Sequence, residues 1–303
     1  MRSGVPMRLV LCLGVLAGAA GAQPAPASLP VTVTLGVEGD GTATAAWRDA
    51  LRVWHGDEAL GLVLRDQHAL TEEEAAWAAL IQRRAPAWAR MTDSLRLPFE
   101  GVVPPDTVHV VLGNVGGQDA FTFSDSTMGF DLQRLGALYG EATAAENGDR
   151  IDRFFAHEFT HLMHKAWRKA RGLALASPLD RALWDCLVEG LGNYRSLSGR
   201  WVEPDGALTP HARDVLARLQ PVFVARLAAL EHASEAEAAG LMEGLSSGPF
   251  DQKWGALTVA LWLAQEARGD DRRLRRWVEA GPRGVLTLAR TYLPEDLRSG
   301  LPH

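Results

Sequence analysis

The sequence predicts an α+β fold that is mostly α-helical, with a small N-terminal sheet packed on a long amphipathic helix and a helical C-terminal part behind it. Three observations carry this expectation. β-Branched residues alternate only in the first part of the chain, apolar residues recur at helical spacing from Asp149 onward, and several helix starts carry capping residues.

Residues 1–22 read as a secretory signal: Arg2 and Arg8 give a basic start, Leu9 to Ala20 an apolar run, and Ala20-Gly21-Ala22 a small-residue cleavage site. That run is too short for a comfortable membrane span. Cys12 follows Leu11, where lipid attachment needs a small residue, so no lipid anchor is expected. No later run reaches spanning length, and no stable membrane anchor is expected either. The product is expected to be exported, periplasmic or extracellular, beginning near Gln23. Residues 23–30 are rich in proline and small residues and read as a flexible leader.

Val31 to Val37 alternates β-branched residues and reads as a strand. Helices are expected over Thr44–Leu60 and Thr71–Arg84, the second opened by a capping box of Thr71 and Glu74. Thr107–Leu112 is a second strand, ended by a glycine-rich turn, and Ala120–Phe123 a third. Beyond Asp149, the residues Phe155, Phe159, Leu162, Met163 and Ala166 form one apolar helical stripe. Ser177-Pro178 opens the next helix, a capping hydroxyl followed by proline at the first helical position, and that helix runs to about Leu197. Further helices fit His211–Leu230, Lys253–Ala267, Arg272–Ala280 and Val285–Tyr292. No internal repeat is evident. The organisation expected is a catalytic part over residues 31–200 and a helical part over residues 201–303.

The chain carries 31 basic against 37 acidic residues, and signal cleavage would remove Arg2 and Arg8 from the basic side. An acidic product argues against phosphate-binding surfaces, so no nucleic acid partner is expected. Of the two cysteines only Cys186 would survive cleavage, which excludes an internal disulfide. Stability must then come from burial or from bound metal.

His157-Glu158-Phe159-Thr160-His161 is the stretch that carries chemistry. On a helix, residues four apart share a face, so both imidazoles can reach one ion while Glu158 stands beside it. Two ordinary helix histidines are the plain alternative. Catalytic zinc needs a third protein ligand and an open position for water. Glu189 is the candidate: it lies on the helix opened by Ser177-Pro178, between Leu187-Val188 and Gly190-Leu191, where an unpaired inward carboxylate would be costly. His164 lies about 10 Å along the helix from His157, too far to share one tetrahedral ion. It either lines the pocket or sits at the surface, with the surface slightly preferred. Asp185 is either an outer-shell group or an ion-pair partner of Arg181, and Cys186 reads as a buried small side chain.

With His157-Glu158-x-x-His161 followed by Glu189-Gly190 on a second helix, residues 151–196 resemble the gluzincin zinc metallopeptidases. They are also similar to little-characterised bacterial secreted zinc proteases. The resemblance implies a zincin fold around the site, zinc held by His157, His161 and Glu189, and Glu158 as general base. It also implies a supporting residue one turn after the ligand glutamate, here Asn193. The metzincin arrangement is absent, because His164 and Trp167 stand where glycine and histidine would be needed.

The expected activity is hydrolysis of peptide bonds by a metal-activated water, with a peptide or protein as substrate. No motif for holding a free amine is present, since Met128-Gly129-Phe130-Asp131 is only a faint echo of one, which favours an endopeptidase over an aminopeptidase. A catalytically idle relative that binds a partner is the other alternative. Tyr194, His211, His232 and Tyr292 are the residue types available to stabilise an oxyanion. Gln118–Phe123 is either an edge strand that pairs with an extended substrate or an internal strand.

Overall fold

In the computed structural model, which describes residues 28–302, the alternating Val-Thr-Val-Thr-Leu run forms strand β1 (Val31–Leu35). The expected signal segment and the expected leader up to Ala27 lie outside the described residues. Helices α1 (Ala45–His55) and α2 (Asp57–Val63) stand where a single helix was expected. Gly56 divides them, with a φ of 81° that glycine adopts without a Cβ penalty. Helix α3 (Glu72–Leu95) starts on the Thr71/Glu74 capping box but runs past Arg84 and through Pro86. An interior proline costs about 3 kcal/mol. Trp88, Thr92 and Leu95 beyond it are buried, and their packing carries the helix on.

Strands β2 (Val108–Gly113), β3 (Ala120–Thr122) and β4 (Thr127–Asp131) complete a four-stranded sheet of order β1-β2-β4-β3. The pairs β1–β2 and β2–β4 are parallel, and β3 returns antiparallel on β4 as one edge of the sheet. Strand β4 was not expected from the sequence. Gly129 at its centre leaves room for neighbouring rings, since a Cβ there would lie 3.0 Å from both Phe121 and Trp47. Helix α4 (Leu132–Tyr139), also unexpected, follows at once, with Asp131 accepting the Arg134 amide as its cap.

The rest is helical: α5 (Asn147–Arg171), α6 (Pro178–Ser196), α7 (Pro210–His232), α8 (Glu235–Met242), α9 (Ala256–Ala267), α10 (Arg275–Ala280), α11 (Gly284–Tyr292) and α12 (Glu295–Arg298). The chain is thus α+β and mostly helical. No helix among the described residues is long and apolar enough to cross a membrane.

The sheet has two packed faces. Val110, Leu112, Met128 and Phe130 join the main core with α3 and α5, while Val111 and Phe121 meet Trp47, Ala50 and Leu51 of α1 in a smaller cluster. On the main face Trp88 of α3 stacks on Phe155 of α5 at 4.5 Å, and Phe155 continues to Phe159 at 6.0 Å. Both phenylalanines are fully buried, each contributing about 1.5–3 kcal/mol. Asp152 ties the same helices, accepting from Trp88 Nε1 at 2.7 Å and from Arg84 Nε at 2.9 Å. These contacts fix the rotation of α5 about its axis, and so the direction in which its histidines point. On its other flank α5 meets α6, which is itself backed by α9.

Candidate metal centre

His157 and His161 lie one turn apart on α5, opposite the stripe of Phe155, Phe159, Leu162 and Met163 that anchors the helix. Their Nε2 atoms are 2.8 Å apart. Glu189 on α6 spans the pair, with Oε2 3.7 Å from His157 Nε2 and Oε1 3.7 Å from His161 Nε2. The two histidine side chains keep 15% and 12% of their surface and Glu189 keeps 28%, so the group is sunk in the protein yet open to solvent. His157, Glu158 and His161 each offer a ligand atom, all within 4.8 Å of one another.

Burial, then the neighbouring His161 imidazole and the Lys253 ammonium, hold His157 well below the usual imidazole range. His161 is lowered by burial too, with Glu189 pulling the other way. Both rings are therefore neutral near pH 7, the form that ligates a metal. Glu158 is 7% exposed and makes no hydrogen bond or ion pair among the described residues. Burial, with the carboxylates of Glu189 and Asp119 nearby, pushes it well above the usual carboxylate range. A cation between these groups would reverse that, since it becomes the largest local charge. Two neutral imidazoles, one carboxylate and the adjacent Glu158 carboxyl fit the donor set of a catalytic zinc site.

The support of His157 comes from a residue the sequence reading missed. Its Nδ1 lies 3.2 Å from Ser196 Oγ, and Ser196 Oγ in turn donates to the Gly192 carbonyl at 3.4 Å. With the hydroxyl proton directed at Gly192, Ser196 accepts from His157 Nδ1–H, which leaves Nε2 bare for a metal. Asn193, expected in this role, makes no hydrogen bond to either ring among the described residues. It is buried with Nδ2 unpartnered, because helix α6 turns Ser196 and Gly192 toward His157 instead.

Two glycines explain how α6 comes so close. A Cβ at Gly192 would lie 2.9 Å from His157 Cε1 and 3.0 Å from Nε2, so the ring rests on bare backbone. A Cβ at Gly190 would lie 2.5 Å from Val259 Cγ1, so α9 presses on α6 beside Glu189. Their signal in the sequence is Glu-Gly-Leu-Gly within a well-capped helix, where each glycine costs about 1 kcal/mol against alanine and so implies a close approach.

The remaining candidates lie elsewhere. His164 is buried rather than at the surface, edge-on to Phe99 at 4.8 Å and Trp184 at 5.7 Å, and burial takes it down to about 3. Arg181 pairs with Glu235 of α8 and not with Asp185. Asp185 is pushed up to about 6 by burial and by Glu189. Cys186 is buried, its sulfur packed against Gly255. Of the oxyanion candidates, Tyr194 donates to Asp271 at 2.8 Å, Tyr292 donates to Glu266 at 2.7 Å, and His211 is engaged by Arg200 and Trp201. His232 is exposed at the end of α7. None of these four makes a hydrogen bond or ring contact with His157, His161 or Glu189 among the described residues.

Lys165 and Lys253 are the cations that bear on it. Lys165 reaches the β3–β4 hairpin, donating to Thr122 Oγ1 at 2.9 Å, and so ties edge strand β3 to the site helix. No family model, no curated protein and no solved structure matches this chain.

Proposed function

We propose that the protein is a zinc-dependent peptidase of gluzincin type that acts as an endopeptidase on exported or extracellular substrates. The observation that carries the proposal is the convergence of His157 Nε2, His161 Nε2 and both Glu189 oxygens, with Glu158, which makes no hydrogen bond or ion pair among the described residues, beside them. His157, His161 and Glu189 would hold the ion. Bound zinc supplies an acidified water and a polarised carbonyl.

The chain's own groups do the rest. Glu158 would take the water proton on a carboxylate oxygen as the new C–O bond forms and the carbonyl electron pair moves onto its oxygen, then hand that proton to the amine nitrogen as the pair returns and the C–N bond breaks. Ser196 keeps His157 in the ligating tautomer. Strand β3 is an edge of the sheet, lies against α5 and is fastened to it by Lys165, so an extended peptide added to that edge would run past the site.

One observation favours the catalytically idle reading: the tyrosines and histidines that could stabilise an oxyanion are all engaged or placed elsewhere. The deciding experiment measures bound metal and peptide cleavage for the unmodified protein and for Glu158→Gln. About one zinc in both, with chelator-sensitive cleavage only in the first, supports the peptidase. Metal retained with no cleavage of a broad peptide library supports the binding module and overturns the proposal.

A further inference from the structure

The open edge of β3 offers its main-chain groups in a fixed pattern. The Asp131 amide donates to the Asp119 carbonyl at 3.2 Å and the Phe123 amide to the Thr127 carbonyl at 3.1 Å, with Phe121 opposite Gly129 between them. The antiparallel ladder therefore falls on residues 119, 121 and 123. The amides and carbonyls of Ala120 and Thr122 point the other way, to the side on which no further strand is paired among the described residues. The Ala120 amide is taken by the Asp119 carboxylate at 3.0 Å. The Ala120 carbonyl and both main-chain groups of Thr122 are left for an incoming strand.

Side chains alternate across the same strand. Phe121 packs on the α1 face, its ring centre 5.9 Å from that of Trp47 and 5.5 Å from that of Trp54. Thr122 turns to α5, where Lys165 Nζ donates to its Oγ1 at 2.9 Å and to the Ser124 carbonyl at 3.4 Å. Lys165 stands one turn beyond His161 and shares the face of α5 that carries this ligand. Lys169 reaches Asp125 of the same hairpin at 3.5 Å, but both side chains are largely exposed and such a pair adds little. Strand β3 is three residues long and bonded along one side only, so on its α5 side the Lys165 bonds fix it against the ligand helix.

We infer that Lys165 is a positioning residue: by holding Thr122 and Ser124 it sets the β3 edge beside the metal centre, so that the Ala120 carbonyl and the Thr122 amide and carbonyl pair with the backbone of an extended peptide. The inference rests on the peptidase reading for the identity of that ligand. Lys165 acts through Thr122 and does not touch the peptide.

The test takes the tightest-binding acetylated, amidated hexapeptide of a broad library and methylates each of its backbone nitrogens in turn. Binding to zinc-loaded Glu158→Gln protein is measured by calorimetry, alone and with Lys165→Met, Lys165→Arg, Thr122→Val or the Lys165→Met/Thr122→Val pair added. Circular dichroism and zinc content check that each variant keeps its fold and its centre. N-methylation should weaken binding about three- to tenfold at every second residue and little at those between, the signature of strand pairing. Lys165→Met should weaken the unmethylated peptide by a similar factor and flatten the alternation, and Lys165→Arg should keep most of both. Thr122→Val, which leaves the lysine charge in place, should act in the same direction, and the pair should lose no more than Lys165→Met alone. Unchanged affinity in Lys165→Met, additive losses in the pair, no alternation, or no binding of any hexapeptide overturns the inference. Hydrolysis by protein with Glu158 intact, read in parallel, separates the two claims. Cleavage with binding that ignores Lys165 removes this inference alone, and alternating, Lys165-dependent binding without cleavage removes the peptidase alone.

Discussion

Gly192→Ala probes the closest contact in the centre. The added methyl would stand 2.9 Å from His157 Cε1, 3.0 Å from Nε2 and 3.1 Å from Nδ1. Carbon contacts are comfortable from about 3.5 Å, so the ring must retreat by roughly half an ångström. Such overpacking costs about 1–3 kcal/mol, against which alanine returns about 1 kcal/mol of helix propensity. Without metal, then, the variant should unfold within about 0–2 kcal/mol of the parent. The larger effect falls on the metal, because a displaced ring loses Ser196 and aims Nε2 away from His161. Disturbing the support of a ligand weakens metal binding about 10–100-fold. That corresponds to a further gap of about 1.4–2.7 kcal/mol when unfolding is measured at saturating zinc for the parent. Competition against a chromogenic chelator gives the affinity, and urea unfolding with and without zinc gives the two stabilities. Unchanged zinc affinity in a folded variant would refute the placement of His157 against Gly192.

Four further outcomes are expected. Glu189→Ala should lose metal at concentrations that saturate the parent, read by metal analysis after gel filtration, and unchanged content would place the third ligand elsewhere. Glu158→Gln should keep its zinc while cleavage falls by about 10²–10⁴-fold, the usual range for a lost general base; near-parental turnover would remove Glu158 from the reaction. Gly190→Ala should cost about 1–3 kcal/mol through Val259, and adding Val259→Ala should recover part of it. A double variant no more stable than the single one would contradict that contact. The fourth concerns pH. Burial lowers His164 from 6.5 to about 3. The unfolded chain therefore takes up a proton below pH 6.5 that the folded chain refuses until about pH 3, and stability falls as pH drops through that window. The slope from this residue is roughly 1.4 kcal/mol per pH unit. His164→Phe, set among Phe99 and Trp184, should flatten the decline between pH 7 and pH 5 in urea titrations. Parallel declines in parent and variant would show that His164 is not held neutral.

Much of this architecture was legible because the residues that direct it act locally. The Thr71/Glu74 box and Ser177-Pro178 start α3 and α6 where the sequence placed them, and the apolar stripe of α5 sets which face carries His157 and His161. The missing elements depend on contacts distant in sequence. Strand β4 carries a glycine where a side chain would strike Phe121 and Trp47, so no alternation marks it. Pro86 reads as a stop, yet Trp88 and Asp152 across the core hold the helix beyond it. The break at Gly56 falls inside an apparently continuous helical pattern. Around the centre, the residue that supports His157 follows from how α6 is rotated against α5, which sequence spacing does not contain. For that reason Ser196 and Gly192 were missed and Asn193 chosen.

The most direct test of the account is the anomalous difference map of a zinc-soaked crystal. The expected result is one strong peak about 2.0–2.2 Å from His157 Nε2, His161 Nε2 and an oxygen of Glu189, with Glu158 outside ligand distance. A peak bound by Glu158 in place of Glu189, or a peak away from both histidines, would contradict it.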